Sequence, residues 1–411
     1  MALIAALLLA ALPRVLTLED ALRLFRESGF DLLIAEAQVA AAQGDAEAGA
    51  AVANPQLSGS VGKSFGYDPS ACAGCSAVAW SVGLSDPSAL SDLISGKRSL
   101  RADVGQAALA AARHSREEAL RTLSLQVRQA MLDGALLQSQ RDVVRELAES
   151  SEKTFALNER RLRAGAISEA EVARAEVAAL EAAQAADLAE QALHVARLQI
   201  AFLLGSRDDE AEFTVDPDLL ERPLPPPPAI PPESFEHRPD LLAAAAQEAR
   251  AEATLALERK RRIPDVALSA QYQQQGTGQN ALQPPTLTVG TQLELPLFYR
   301  RSGEIARAEA DRRAQGLARE KLRAQARAEL QSALAAVEAN RRLVERMRGR
   351  LLGRARRMRD LAQVQYEKGT SSLLELLDAQ RTWAQTRSEY LRNLRDFWLS
   401  AFQLDAALGR P

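Results

Sequence analysis

The chain has 411 residues, 79 of them alanine, with 26% charged and only 4% aromatic residues. A length near 400 allows two or three globular domains at about 150 residues each, but this composition is that of long helices rather than of large packed cores. Lys plus Arg (51) nearly balance Asp plus Glu (54), for a net charge of -3, which argues against a nucleic-acid partner; three His, two Cys and no G-x-S-x-G, Walker A or H-E-x-x-H pattern argue against an enzyme, a cofactor or a resident metal.

Residues 1–15 read as an export signal. Ala2 to Leu12 is an uncharged apolar run followed by Pro13 and Arg14, the size of a signal-peptide core and too short to span a bilayer as a helix. No stretch elsewhere reaches about 18 apolar residues without charge, so a chain that crosses a membrane must do so with strands.

A first helix is expected from about Leu18 to Ala53, with Thr17 as N-cap, Asp20 three residues on, and Pro55 ending it. Leu57, Val61, Phe65 and Tyr67, then Val78, Trp80, Val82 and Leu84, alternate with serines and glycines. That is the period of two strands, each with an apolar and a small polar face. Cys72 and Cys75 fall in the loop between them, where a local disulfide is favoured over a metal site because no second pair or nearby His completes four ligands. His114, His194 and His237 are far apart in the sequence and read as helix-face or linker residues.

From Arg101 to Leu162 there is no proline, which predicts a helix of about 90 to 100 Å. Leu120, Leu123, Val127, Ala130, Leu137, Val144, Ala148, Phe155 and Leu162 form its expected heptad seam, interrupted by Arg141 and Asn158. Gly165 then marks a reversal, since a helix stop of this kind needs a residue tolerant of positive φ. Residues 206–240 are a linker; Arg222 to Asp240 holds eight of the eighteen prolines and cannot be helix.

Beyond the linker the plan repeats. Asp31-Leu32-Leu33 returns as Asp240-Leu241-Leu242, Pro55 as Pro264, Ser95-Gly96 as Ser302-Gly303, Gly165 as Gly369, and Leu204-Gly205 as Leu408-Gly409. The organisation is a first repeat at 16–205 and a second at 241–411. In the second copy Val266, Leu268 and Tyr272, then Leu287, Val289, Leu293 and Leu295, mark two strands. A second long helix runs from about Ile305 to Lys368, seamed by Val337, Val344, Met347, Leu351, Met358 and Leu361. Four strands are too few to close on themselves, and a sheet in lipid must close, so the chain must oligomerise.

These features resemble the TolC-like outer-membrane efflux proteins. The resemblance rests on Leu16 to Leu22 (LTLEDAL), on Pro55 and Pro264 at the helix-to-strand turns, on Gly369 to Asp378 (GTSSLLELLD), and above all on the duplicated order. Leu293 to Ala310 (LELPLFYRRSGEIARAEA) is similar to the strand-to-helix junction of the heavy-metal cation efflux subgroup. The resemblance implies a mainly α fold with a small β part: a long-helix α-barrel in the periplasm plus four strands per chain given to a trimeric 12-stranded transmembrane β-barrel in the bacterial outer membrane. It implies a homotrimer, a periplasmic adaptor (membrane fusion) protein and an inner-membrane pump of RND or ABC type as partners. The expected function is a passive exit duct, with heavy-metal cations as cargo. The alternatives are a duct for type I protein secretion or drug efflux, or a periplasmic coiled-coil scaffold without a pore.

It also assigns roles at the tip. Gly165 and Gly369 would be the tip turns where an adaptor docks. Glu375 and Asp378, three apart and so on one helix face, would form acidic rings at the pore's narrow end. Tyr366 and Glu171 match a Tyr and its acidic partner in the gate latch, whereas Ser371 stands where the family has an Arg. Arg160, Arg161 and Arg163 are the nearby substitutes for that missing charge.

Overall fold

The computed structural model describes residues 13–63, 65, 70, 77–206, 212–226, 231, 234–275 and 285–410. Most of the expected export signal, Tyr67, Cys72 and Cys75 lie outside the described residues. The chain divides into two compact units: a helical unit of residues 1–36, 116–239 and 323–411, and a sheet unit of residues 37–115 and 240–322. No described helix is long and apolar enough to cross a membrane.

The sheet unit is built on four antiparallel strands, β2 (Gln56–Lys63), β3 (Val78–Asp86), β5 (Val266–Gln275) and β6 (Thr286–Leu293), in the order β2-β3-β5-β6. Each sequence copy supplies one hairpin, and β3 pairs with β5 to join them. The register aligns Leu57 with Leu84, Val61 with Trp80, Val82 with Tyr272, Ala270 with Val289 and Tyr272 with Leu287. Because directly paired residues share a face, Leu57, Val61, Trp80, Val82, Leu287 and Leu293 all lie on one side, together with Val78, Leu84, Val266 and Leu268. That face is exposed in the single chain, Leu57 by 77% and Val289 by 73%. The other side carries Ser58, Ser60, Ser81, Gln271, Gln273 and Thr288, where Ser60 and Ser81 hydroxyls meet at 2.8 Å and Gln271 donates to Ser81 at 2.9 Å. β2 and β6 are unpaired edges. The strands end slightly earlier than the alternation implied, at Lys63 and Leu293, so Leu295 is outside the ladder.

A short helix that the sequence did not announce, α3 (Ala89–Ser95), links β3 to α4 (Lys97–Arg163). Asp86 starts it by accepting the backbone N–H groups of Ser88, Ala89 and Leu90. At this junction Lys97, buried, donates to Asp265 Oδ1 at 2.7 Å and to the Ile263 carbonyl, Ser91 donates to Asp265 at 3.0 Å, and Arg101 grips Asp92 with both Nη atoms. The start of α4 is thereby bolted to the start of β5. Burial raises the Asp265 carboxyl, but bonds from Lys97 and Ser91, with the charges of Lys97 and Arg101, more than offset this and hold it below its ordinary range.

In the helical unit β1 (Val15–Leu16) pairs in parallel with β4 (Thr214–Val215). Gln138 acts as a third strand by bonding both the N–H and the carbonyl of Val215. Thr17 caps α1 (Leu18–Ser28) as expected, accepting from Asp20 N. The single opening helix does not hold: Gly29 is extended and bonds Phe25 O, and α2 (Phe30–Ala50) begins anew. A side chain at Gly29 would strike Phe25 O at 2.6 Å, so the break packs too closely for any other residue.

The remaining helices are α5 (Glu169–Leu203), α6 (Pro239–Lys260), α7 (Ser302–Arg346), α8 (Leu352–Glu367) and α9 (Leu373–Ala407). The second long helix is therefore not continuous α-helix, because a π turn, Met347–Leu351, separates α7 from α8. Two glycines, Gly349 and Gly353, weaken α-helix there by about 1 kcal/mol each. The π turn inserts one residue and moves the buried stripe on by one. Val337, Val344 and Met347 are buried as the heptads predict, whereas Leu351 at the end of the turn and Met358 and Leu361 beyond it are exposed, and Ala355, Ala362 and Tyr366 are buried instead. In α4 only Val127 of the expected seam is buried. The stripe that faces its own unit mixes apolar Val127, Met131, Leu132 and Ala135 with polar Arg121, Ser124, Gln138, Ser151, Thr154 and Asn158. A helix contacted on more than one side spreads its apolar residues over several seams, and heptad counting locates only one.

Candidate gate at the paired helical turns

α4 and α8 run into turns of identical design. Gly165 (φ 70°) and Gly369 (φ 75°) are both left-handed. Gly165 N–H bonds Leu162 O and Ala166 N–H bonds Arg161 O; Gly369 N–H bonds Tyr366 O and Thr370 N–H bonds Gln365 O. These closures satisfy carbonyls that a helix end leaves open.

Each turn is followed three residues later by a serine N-cap and three further on by a glutamate. Ser168 N–H donates to Glu171 Oε2 at 3.4 Å, and Ser372 N–H donates to Glu375 Oε2 at 3.3 Å, while Glu375 N–H returns a bond to Ser372 Oγ at 3.3 Å. The shared pattern is G-x-x-S-x-x-E, a capping box after a reversal. It was readable in the sequence and is masked there by the differing residues between its fixed positions. Ser371 donates to Glu375 Oε2 at 2.5 Å. That bond, with the Ser372 N–H, holds the exposed Glu375 carboxyl below its ordinary range. Asp378, one turn on, is exposed and has no ion pair among the described residues.

Tyr366 is buried at the end of α8 and its hydroxyl donates to Asn158 Oδ1 on α4. Arg161 lies over the tyrosine ring at 4.8 Å and donates to the carbonyls of Tyr366 and Glu367 at 3.0 and 3.1 Å. Of the three arginines before Gly165, Arg161 thus engages the second turn, while Arg163 pairs with Glu159 and Arg160 bonds Ala156 O. Ala175, Ala362, Tyr366, Leu373, Leu376 and Ala379 form an apolar cluster here, backed by Phe155 and Leu157. Within one chain the structure therefore brings together Tyr366, Asn158 and Arg161. It does not bring Tyr366 to Glu171, whose carboxylate serves the α5 cap. Asn158, in the sequence merely a break in a heptad seam, is the tyrosine's partner, and its position in the α4 stripe was the available signal. No group of three His, Cys, Asp or Glu able to hold a metal ion occurs among the described residues.

Comparison with known proteins agrees with this architecture. The chain is 26% identical over 407 residues to the cobalt-zinc-cadmium resistance protein CzcC of Cupriavidus metallidurans, covering 96% of this chain and 90% of CzcC. It is 29% identical over 286 residues to the pyoverdine export outer membrane protein OpmQ of Pseudomonas aeruginosa, covering 67% of this chain and 58% of OpmQ. The crystal structure of the Campylobacter jejuni CmeC outer membrane channel superposes with a TM-score of 0.79 at 18% identity, over 95% of this chain and 85% of CmeC. The fold class is that of the TolC-type α/β barrels. The sequence profile described as outer membrane efflux protein matches residues 21–206 and 230–410, and the chain accordingly belongs to that family, as an efflux channel of the outer membrane.

Proposed function

We propose that three copies of the chain close their four-stranded sheets into a twelve-stranded transmembrane barrel, and that the assembly is the passive exit duct of a tripartite efflux system. The observation that carries this reading is the sheet itself. Its lipid-ready apolar face, its polar opposite face and its two unpaired edges suit a bilayer only when neighbouring copies pair β6 with β2. Twelve strands leave room for an aqueous lumen lined by Ser58, Ser81, Gln271 and Thr288.

Cargo would enter from an inner-membrane pump, of RND or ABC type, through a periplasmic adaptor that docks at the Gly165 and Gly369 turns. Heavy-metal cations are the favoured cargo, on the strength of the likeness to CzcC along nearly the whole chain. The shorter likeness to OpmQ favours an organic cargo as the second reading. At the tip, Tyr366, Asn158 and Arg161 hold the α8 end against α4 in the resting state. Glu171 and Glu375 stiffen the turns, Ser371 sets the Glu375 carboxylate, and Asp378 with Glu375 supplies negative charge that draws cations to the narrow end. Energy comes from the pump, and opening is a rotation of the α8–α9 pair away from α4 on adaptor contact.

A deletion strain complemented with the gene tests the cargo. Restored tolerance to cobalt, zinc and cadmium, with no change in drug sensitivity, is the expected result; restored drug tolerance alone would move the channel to the second reading.

A further inference from the structure

Within the helical unit, α4, α8 and α9 line a hollow of about 450 Å3, a size that small ligands occupy. Its walls follow helical spacing: Leu147 and Ser150 come from one face of α4, Arg359 and Gln363 from one face of α8, and Gln380 and Ala384 from one face of α9. Neither Glu375 nor Asp378 lines it.

The hollow has three polar levels. At the first, Arg359 donates to Glu146 at 2.6 Å and to Asp360 at 2.7 Å, so that two carboxylates share one guanidinium, which also lies over the Trp383 ring at 5.0 Å. Arg356 stands farther from Asp360, at 4.0 Å. At the second level, Gln380 donates through Nε2 to Ser150 Oγ at 2.9 Å and to Gln363 Oε1 at 3.3 Å. At the third, Gln363 Nε2 donates to Glu367 Oε1 at 2.7 Å. α4 and α8 advance together, from Glu146 to Ser150 and from Arg359 to Gln363, and Glu367 stands one turn further on. The levels are therefore about 6 Å apart at the rise of an α-helix.

This chain of amides has one possible direction. A carboxylate only accepts, so Gln363 must turn its Nε2 to Glu367 and its Oε1 to Gln380, and Gln380 must present Nε2 in return. Gln380 is 3% exposed, and its Oε1 is left without a donor among the described residues. A buried amide oxygen in that position is costly, and the middle level can take one N–H. The lining also sets four carboxylates, Glu146, Glu149, Asp360 and Glu367, against Arg359 and Lys153. Glu149 has a long contact to Arg145, at 3.5 Å, while Glu367 and Lys153 have no ion pair among the described residues. The acids are spread along the hollow and do not form a group able to hold a metal ion.

We propose that this hollow binds a linear aliphatic polyamine. An inner nitrogen donates to Gln380 Oε1, the terminal ammonium groups sit at the Glu146–Asp360 and Glu367 levels, and the methylenes between them lie on Leu147 and Ala384. Charge spread along a flexible apolar chain matches acids spread along an apolar-backed hollow, which a compact cation would not. The bound amine ties α4 to α8 and α9. Since the opening rotation in the reading above parts Ser150 from Gln380, the amine binds the resting state better and favours it; this consequence rests on that reading.

Titration calorimetry of spermidine into the full-length channel in detergent tests the site. Gln380→Met and Glu367→Gln should each weaken binding by about tenfold, the worth of one charge-assisted hydrogen bond. Lys153→Met, which removes the opposing cation from an exposed position, should tighten it. In planar bilayers spermidine should lower the conductance of wild type and leave that of Gln380→Met unchanged. Affinity that survives Gln380→Met and is lost with Glu375→Gln and Asp378→Asn would put the amine at the acids of the α9 start and overturn the inference. A channel that conducts and takes up no spermidine would overturn this inference alone. A protein that binds spermidine with the predicted variant pattern and never conducts would keep the site and remove its gating consequence together with the channel reading.

Discussion

Tyr366 on α8 and Asn158 on α4 share a buried hydrogen bond at the ends of the two helices that enter the paired turns, and Arg161 covers the tyrosine ring from the Asn158 side. Removing the hydroxyl in Tyr366→Phe leaves the Asn158 amide buried without that partner, at a cost of about 1–3 kcal/mol. The isolated trimer should then conduct more in planar bilayers than wild type. Unchanged conductance would remove Tyr366 from the gate.

The two sheet faces should differ sharply in what they tolerate. Val289→Arg puts a charge on the apolar face near mid-strand and should destabilise the barrel by about 2–4 kcal/mol. Gln271→Arg, on the opposite face, should assemble normally and alter only conductance. Recovery of assembled protein from the outer membrane distinguishes the two; equal recovery would mean that the apolar face does not meet lipid.

The Lys97–Asp265 pair fixes the helix-to-strand junction from a buried ammonium to a half-exposed carboxylate. Lys97→Met should cost about 1–3 kcal/mol, less than a fully buried pair because water screens Asp265. Since the folded Asp265 carboxyl titrates below its ordinary 3.8, its contribution is present above that pH and is lost as pH falls through the lowered value. Wild type should therefore lose stability to acid in this range, and Asp265→Asn should lose less of it, as read by thermal unfolding across pH.

At the α9 cap the same sign holds. The Glu375 carboxyl titrates below its ordinary 4.5 through its bonds to Ser371 and to the Ser372 N–H, so the cap is intact above that pH and loosens as pH falls through the lowered value. Amide exchange of the first α9 turn, corrected for intrinsic rates, should rise on acidification in wild type. Glu375→Gln, which keeps the capping geometry without the charge, should show a flat profile.

Much of this was legible in the residues because the signals were periodic. The alternation in Leu57–Val61 and Val78–Leu84, and its return at Val266 and Leu287, located all four strands and their common apolar face. Gly165 and Gly369 marked the turns because a positive φ leaves few alternatives. What stayed hidden depended on partners distant in sequence. The opening helix breaks at Gly29 because Phe25 packs against it. The π turn at Met347–Leu351 leaves the heptad count intact in the sequence while shifting the buried stripe by one. Tyr366 meets Asn158 across 208 positions, a pairing that no local pattern encodes.

The central claim is a trimeric outer-membrane channel, and recording from the purified, crosslinked protein in planar bilayers tests it most directly. A crosslinked trimer recovered from the outer membrane, giving discrete conductance steps, is the predicted result. A monomer or dimer that fractionates away from the outer membrane and leaves the bilayer silent would contradict it.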